Sequence, residues 1–315
     1  MITSWISDRQ HVRHHMGAGH PESPERLATI EQRLNASGLL HHTVQFSARP
    51  ATEEQILEVH SLDHWHQLQH YTPSHEGELT ELTSDTLLTP WSIEAARMAA
   101  GAATRGIDQL YRGQADNVFC AVRPPGHHAE RTGAMGFCLL NNVAIAAAYA
   151  RTVYGVERIA ILDFDVHQCN GTIDIFQHDS QVLICSSFQE GLFPQRYHQA
   201  PSSNVINTPL PLGSNGDDLL RCIERQWLPA IERHRPQLIC ISAGFDAHRD
   251  DPLGGLNLTG MDYHRISRLL VALAREYSEG RLLSVLEGGY DMNALAEGVE
   301  AHLAALIDLP WSPAS

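Results

Sequence analysis

Short runs of Val, Ile and Leu recur along the chain, and each stops on residues able to bind a metal or move a proton. VFCAV (118–122) leads into Arg-Pro-Pro-Gly-His127-His128, and RIAIL (158–162) into Asp163-Phe-Asp165-Val-His167. QVLIC (181–185) leads into Ser186-Ser187, LICIS (238–242) into Ala-Gly-Phe-Asp246, and LLSVL (282–286) into Glu287-Gly-Gly-Tyr290. Apolar runs of this length, separated by helical patterns, read as parallel strands buried on both faces. Open parallel sheets bind their ligands outside the carboxyl ends of the strands. One sheet edge would therefore collect carboxylates, three imidazoles and a phenol, a set suited to a catalytic metal site.

Helical patterns lie between the runs. Ser23-Pro24-Glu25 opens one, Leu27, Ile30 and Leu34 repeat on its face, and Gly38 closes it. Thr52-x-x-Gln55 fits a capping box ahead of Ile56 and Val59. Residues 92–112 are alanine-rich with a stop at Gly113, and 141–153, 217–233, 261–278 and 292–307 carry helical spacing. Weaker strand patterns at 2–6, 43–47 and 205–208 bring the total to about eight strands, mostly parallel. No linker, repeat or low-complexity stretch divides the 315 residues, so residues 1–315 read as a single α/β domain with a large core.

Charge and cysteines narrow the class. Lys plus Arg total 22 against 37 for Asp plus Glu, a formal charge of −15. That balance argues against a general nucleic-acid binder and disfavours anionic membranes, while leaving room for cationic peptides or amines. Six cysteines form no C-x-x-C pair, no segment is apolar enough to span a bilayer, and the first residues lack a signal-peptide pattern. A reducing cytoplasm is expected. Of the 20 histidines, His14-His15, His41-His42 and His60/His64/His66/His70 read as surface or helix residues.

The chemistry concentrates in a few positions. On a strand, residues i, i+2 and i+4 share a face, so Asp165 and His167 can reach one metal with Asp163 deeper behind them. Asp246 is the natural third ligand. Two carboxylates and an imidazole leave an open position that zinc tolerates and that iron or manganese also accepts. Asp250 and Asp251 read as turn residues before Pro252. Two prolines stiffen the turn that delivers His127 and His128, which suits them to proton transfer, with one held charged by a buried aspartate such as Asp163. Gly288-Gly289 lets the backbone approach the site and presents Tyr290, a hydroxyl donor for an oxyanion. Gly136-Phe137 and Phe193-Pro194 supply aromatic walls for a narrow channel.

These motifs resemble those of the zinc-dependent histone deacetylase superfamily, in its class II and bacterial deacetylase-like amidohydrolase branch. The resemblance rests on Pro-Pro-Gly-His-His, Gly-Phe-Cys-x-x-Asn-Asn (136–142), Asp-Phe-Asp-Val-His, Ser-Ala-Gly-Phe-Asp-Ala-His-x-x-Asp-Pro-Leu-Gly-Gly (242–255) and Leu-Glu-Gly-Gly-Tyr, with His-Pro-Glu-Ser-Pro-Glu-Arg-Leu (20–27) near the start. It implies the arginase/deacetylase fold, a parallel eight-stranded sheet with helices on both faces. It implies one Zn²⁺ on Asp165, His167 and Asp246, His128 as general base and then acid, His127 paired with Asp163, and Tyr290 at the oxyanion. Phe137 and Phe193 would line an acyl-lysine tunnel, with Gly136, Gly288, Gly289 and Leu253 also touching substrate. A K⁺ would lie beneath the zinc on Asp163, Asp165, His167 and Ser186, with a second near Phe176, Asp179 and Val182.

The chain departs from the family pattern at Gln168 and Cys169, where His-Gly is usual; a cysteine is strained there if the backbone needs positive φ. Asn170 stands where class I members carry an aspartate. Leu253 stands where the polyamine-selective relative carries a glutamate, which favours an acetyl-lysine protein or peptide over an acetylated amine. An acetylpolyamine amidohydrolase and an impaired deacetylase-like binding protein are the rival readings. An arginase-like pair of Mn²⁺ ions would need an aspartate at 169. With no basic nuclear-type cluster, a bacterial cytoplasmic enzyme is expected; quaternary state is not legible.

Overall fold

The computed structural model describes residues 1–197 and 199–313. The strands are β1 (Thr3–Ser7), β2 (Thr43–Ser47), β3 (Thr80–Thr83), β4 (Thr86–Leu88), β5 (Asn117–Cys120), β6 (Ile159–Asp163), β7 (Val182–Gln189), β8 (Val205–Leu210), β9 (Leu238–Ala243) and β10 (Leu282–Leu286). Eight of them form one sheet in the order β2-β1-β5-β10-β9-β6-β7-β8, with every pairing parallel; β3 and β4 form a separate antiparallel hairpin. The five strong runs are the five central strands, and the three weaker patterns are β1 and both edges.

The helices are α1 (Glu25–Ala36), α2 (Glu53–Leu57), α3 (Leu62–Tyr71), α4 (Ser92–Tyr111), α5 (Asn142–Tyr154), α6 (Asn170–Phe176), α7 (Gly216–Cys222), α8 (Leu228–His234), α9 (Gly260–Tyr277) and α10 (Met292–Leu306). They cover both faces. The alanines of α4 and α5 pack on one side with Ile107, Val118 and Val143; α1, α9 and α10 pack on the other around Trp227, Phe245 and Leu270. Thr52 and Gln55 form the expected capping box at α2. The pattern over 217–233 does not give one regular helix. A wide π turn at Ile223–Trp227 separates α7 from α8, directly before Pro229, whose ring and missing N–H exclude a regular bond to the preceding turn. The β3–β4 hairpin, α3 and α6 escape the sequence reading because each is too short to show a period.

Three histidines expected at the surface or on helices are interior: His14, His60 and His64 are 0, 2 and 1% exposed. Each has a partner that lets an imidazole leave water: Ser92 Oγ at 2.7 Å, Glu130 O at 2.9 Å and Leu139 O at 2.9 Å respectively. His15, His41, His42, His66 and His70 are exposed as expected. Among the described residues no helix is long and apolar enough to cross a membrane, and all six cysteines are free thiols.

Topology places the site. The chain runs outward through β6, β7 and β8, then returns to insert β9 and β10 between β6 and β5. The loops leaving β5, β6, β9 and β10 therefore open onto one crevice at the carboxyl edge, where strand order switches.

Candidate metal centre and active site

Asp165, His167 and Asp246 meet at the floor of this crevice. All three are buried, and their candidate ligand atoms lie within 4.8 Å of one another. His167 Nδ1 stands 3.0 Å from Asp165 Oδ1 and 3.1 Å from Asp246 Oδ2. Bonds of about 2.0–2.1 Å to a tetrahedral ion imply edges of about 3.4 Å, so small adjustments suffice. The carboxylates are fixed from behind: Asp165 accepts from His167 N at 2.9 Å and Gly288 N at 2.9 Å, and Asp246 from Val166 N at 2.8 Å. Gly244 and Gly288 are required by proximity. A Cβ on either would sit 2.1 Å from a carboxylate oxygen, of Asp165 and Asp246 respectively. Burial, then the charge of Asp165, lifts the Asp246 carboxyl to about 7, a sign of surplus negative charge that a divalent cation would neutralise.

The tandem imidazoles stand beside this triangle with different partners. His127 Nδ1 pairs with Asp163 Oδ2 at 2.9 Å, and its Nε2 is 3.7 Å from Asp165 Oδ1. Burial opposes a charge on His127, but Asp165 and Asp163 prevail and hold its pKa well above the ordinary value. His128 Nδ1 meets Asn170 Oδ1 at 2.6 Å. Burial, with the neighbouring His127 and His167, holds His128 well below the ordinary value and so neutral. Two adjacent imidazoles thus differ in charge: one faces two carboxylates, and the other is buried beside two more imidazoles.

Above them a cavity of about 260 Å³ is lined by Asp85, His128, Gly136, Phe137, His167, Leu192, Phe193, Leu253 and Tyr290. Phe193 packs edge-on to His128 with ring centres 5.1 Å apart, and Phe137 edge-on to Tyr290 at 5.7 Å. Gly136 and Phe137 both take positive φ, 57° and 67°. The β3–β4 hairpin holds that turn: Asp85 Oδ2 accepts Gly136 N at 3.0 Å and Thr86 Oγ1 accepts Phe137 N at 3.2 Å. Burial raises the Tyr290 phenol well above its ordinary value, against Arg26, so it stays a neutral donor.

Residues 20–306 match the histone deacetylase domain. The chain belongs to the histone deacetylase family. It is 38% identical to the histone deacetylase-like amidohydrolase of Pseudomonas aeruginosa over 280 residues, covering 87% of this chain and 73% of that protein. It is 34% identical to a probable deacetylase of Archaeoglobus fulgidus over 300 residues, covering 93% and 82%. The crystal structure of the HDA15 HD domain superposes with a TM-score of 0.89 at 30% identity, over 98% of this chain and 90% of that one. The fold is the arginase/deacetylase fold of that family.

Within this histone deacetylase family member, several residues serve the site unforeseen. Arg26, fully buried, donates to Glu287 O at 2.6 Å and Gly289 O at 2.7 Å, gripping both sides of the turn that carries Tyr290. Glu22 in turn pairs with Arg26 at 3.3 Å and with Arg123 at 2.5 and 2.7 Å. Glu287 accepts Gly126 N at 2.7 Å, His127 N at 3.1 Å and Ser242 Oγ at 3.1 Å, tying the histidine turn to β9; burial raises its carboxyl to about 7, against His127. Asp251 does more than shape a turn: it receives Tyr290 N at 2.6 Å and Leu253 N at 2.9 Å. The signal for Glu22, Arg26, Asp251 and Glu287 was membership in the 20–27, 242–255 and 286–290 motifs, which gave them none of these roles.

Cys169 takes φ −77°, so the anticipated strain does not arise, and its side chain belongs to the apolar cluster. The glycine the loop needs is Gly171, where a Cβ would lie 2.3 Å from Ala129 O. Ser186 stands in register with Asp163 across β6–β7, and its hydroxyl accepts Cys169 N at 3.4 Å. The carbonyls of Phe176, Asp179 and Val182, named for the second K⁺, converge on Asn204 Nδ2, at 2.9, 3.0 and 2.8 Å.

Proposed function

We propose that residues 1–315 form one catalytic domain, a zinc-dependent deacetylase that removes acetyl or other short acyl groups from lysine side chains of proteins or peptides. The observation that carries this reading is the apolar cavity of about 260 Å³ ending on the Asp165–His167–Asp246 triangle, with a neutral imidazole and a phenol on its walls. A slim chain with an acyl tip fits such a shape. Zn²⁺ held by the triangle would polarise the acyl carbonyl and acidify a water. His128 takes the proton of the attacking water and returns it to the departing amine. His127, kept cationic by Asp163, offsets negative charge as it develops. Tyr290 donates its hydroxyl to the tetrahedral oxygen. Phe137, Phe193 and Leu253 exclude water from the chain of the substrate, while Gly136, Gly288 and Gly289 let backbone close on it. Asp163, Asp165, His167 and Ser186 would hold one K⁺ beneath. Six unpaired thiols suit a reducing cytoplasm.

The test is a side-by-side assay of the purified holoenzyme on an acetyl-lysine peptide and on N-acetylputrescine, with metal analysis of the same sample. One zinc per chain and faster turnover of the peptide support the reading; no turnover of either rejects it. Leu253 lies at the cavity wall. A Leu253→Glu variant is expected to shift the kcat/KM ratio about tenfold towards the cationic amine, as one added ion contact is worth about 1–2 kcal/mol in a shielded site.

A further inference from the structure

Glu130 and Arg196 take no part in the chemistry above, yet they reach His128 through a single side chain. Asn170 Oδ1 accepts from His128 Nδ1 at 2.6 Å, and Asn170 Nδ2 donates to Glu130 Oε1 at 2.8 Å. Arg196 Nη1 lies 2.6 and 2.7 Å from the two Glu130 oxygens. The Glu130 backbone is pinned as well: its carbonyl receives His60 Nδ1 at 2.9 Å, and its N–H donates to Gly133 O at 2.9 Å. His60 Nε2 is engaged by Asn141 N at 2.9 Å, so that buried ring is itself locked.

An amide shows an acceptor on one side and a donor on the other, and its neighbours decide which way it faces. An ionised carboxylate only accepts. Glu130, the charged and nearest of three acceptors there (Met135 Sδ lies at 3.1 Å and the His128 carbonyl at 3.4 Å), therefore takes the Nδ2 side of Asn170 and leaves Oδ1 to His128. An acceptor at His128 Nδ1 requires a proton there, which leaves the lone pair on Nε2. With the amide reversed, Nδ2 would demand a bare Nδ1, the proton would move to Nε2, and the ring could take no proton at that atom. An aspartate at 170 would need no such guidance, since both its oxygens accept. An asparagine does.

We propose that Glu130, held by Arg196, is a positioning residue that sets the direction of the Asn170 amide and through it the His128 tautomer needed for general-base catalysis. The proposal rests on the deacetylase reading. Arg196 belongs to the same loop as Phe193, so the cavity wall and the base share an anchor.

An ion-pair swap, Glu130→Lys with Arg196→Glu, separates this role from mere bracing. It keeps an ion pair but turns an acceptor into a donor beside Asn170. NMR of protein with ¹⁵N-labelled histidine, assigned against His128→Ala, is expected to show Nδ1–H at His128 in the parent and Nε2–H in the swap. On an acetyl-lysine peptide, kcat of the swap falls about 100-fold with KM within about twofold, the scale of a lost general base. Adding Asn170→Asp to the swap restores Nδ1–H and recovers at least about tenfold in kcat, because the new carboxylate accepts from both sides. A swap that keeps Nδ1–H, or that Asn170→Asp does not rescue, overturns the proposal. Should the swap not fold, Glu130→Gln carries the same test: it is expected to show mixed tautomers, and a pure Nδ1–H ring in it overturns the relay. A parent that hydrolyses no acetyl amide defeats the deacetylase reading, while the tautomer measurement still decides the role of Glu130.

Discussion

At the floor of the cavity, Asp165, Asp246 and His167 are 1, 0 and 9% exposed, and three of the four carboxylate oxygens accept a backbone N–H. At the rim, Phe193 is 38% exposed and its ring is steadied by edge contacts to His128 and His167. The floor hangs from the turns just beyond β6 and β9, where backbone N–H groups pin the carboxylates; the rim hangs from a longer loop, where a side chain can shift without unseating its neighbours. The proposed chemistry would sit on the first kind of support, and the proposed contacts with substrate on the second.

The sharpest way to break this contrast is at the floor. Asp246→Ala is expected to abolish stoichiometric metal and to lower kcat/KM by more than about 10³-fold, checked by metal analysis alongside turnover. Next in size, His128→Ala is expected to cost about 10²–10⁴-fold in kcat while metal content stays at the parental level; loss of the ion would mean that His128 is part of the floor rather than a base beside it.

A structural effect follows. Glu22 is buried among Arg123, Arg26 and His14; burial works against its charge, but these partners hold its pKa down to about 2 from 4.5. A depressed carboxyl contributes stability that is present above the unfolded pKa and lost as pH falls through the folded one. Denaturant melts should therefore show a stability loss between pH 4.5 and 2 that Glu22→Gln flattens. Glu22→Gln should itself cost about 3–5 kcal/mol at neutral pH, by stranding two buried guanidinium groups. The smallest effect belongs to the rim. Phe193→Ala should raise KM up to about tenfold, with kcat within about twofold and little change in melting temperature, as one partly exposed wall is worth about 1–2 kcal/mol. A large kcat loss there would show that the rim, too, positions the base.

The central strands were legible because buried parallel strands write themselves as unbroken apolar runs, and the candidate ligands because they directly follow those runs. Asp165 and His167 were read together from the alternation of a strand, but β6 ends at Asp163 and the two meet through the bend that follows it. Glu287, Arg26 and Asp251 were not assigned roles, because what they hold are backbone atoms of distant residues. Arg26 and Glu287 are 261 positions apart, and Asp251 and Tyr290 are 39 apart. His60 was misplaced for a similar reason: an imidazole in a polar stretch looks solvated until its partner, the Glu130 carbonyl 70 residues away, is seen.

By itself, then, the chain determined the strands of its main sheet, most of its long helices and the donor atoms just beyond the strand ends, since these follow from local period and residue chemistry. Tertiary structure decided the rest. It inserted β9 and β10 between β5 and β6, so that Gly288 and Asp165, 123 residues apart, share a hydrogen bond. It gave His127 a carboxylate partner and His128 an amide. The physical reason is that charge state, amide direction and burial belong to surroundings, and those surroundings are assembled from segments that no local pattern relates.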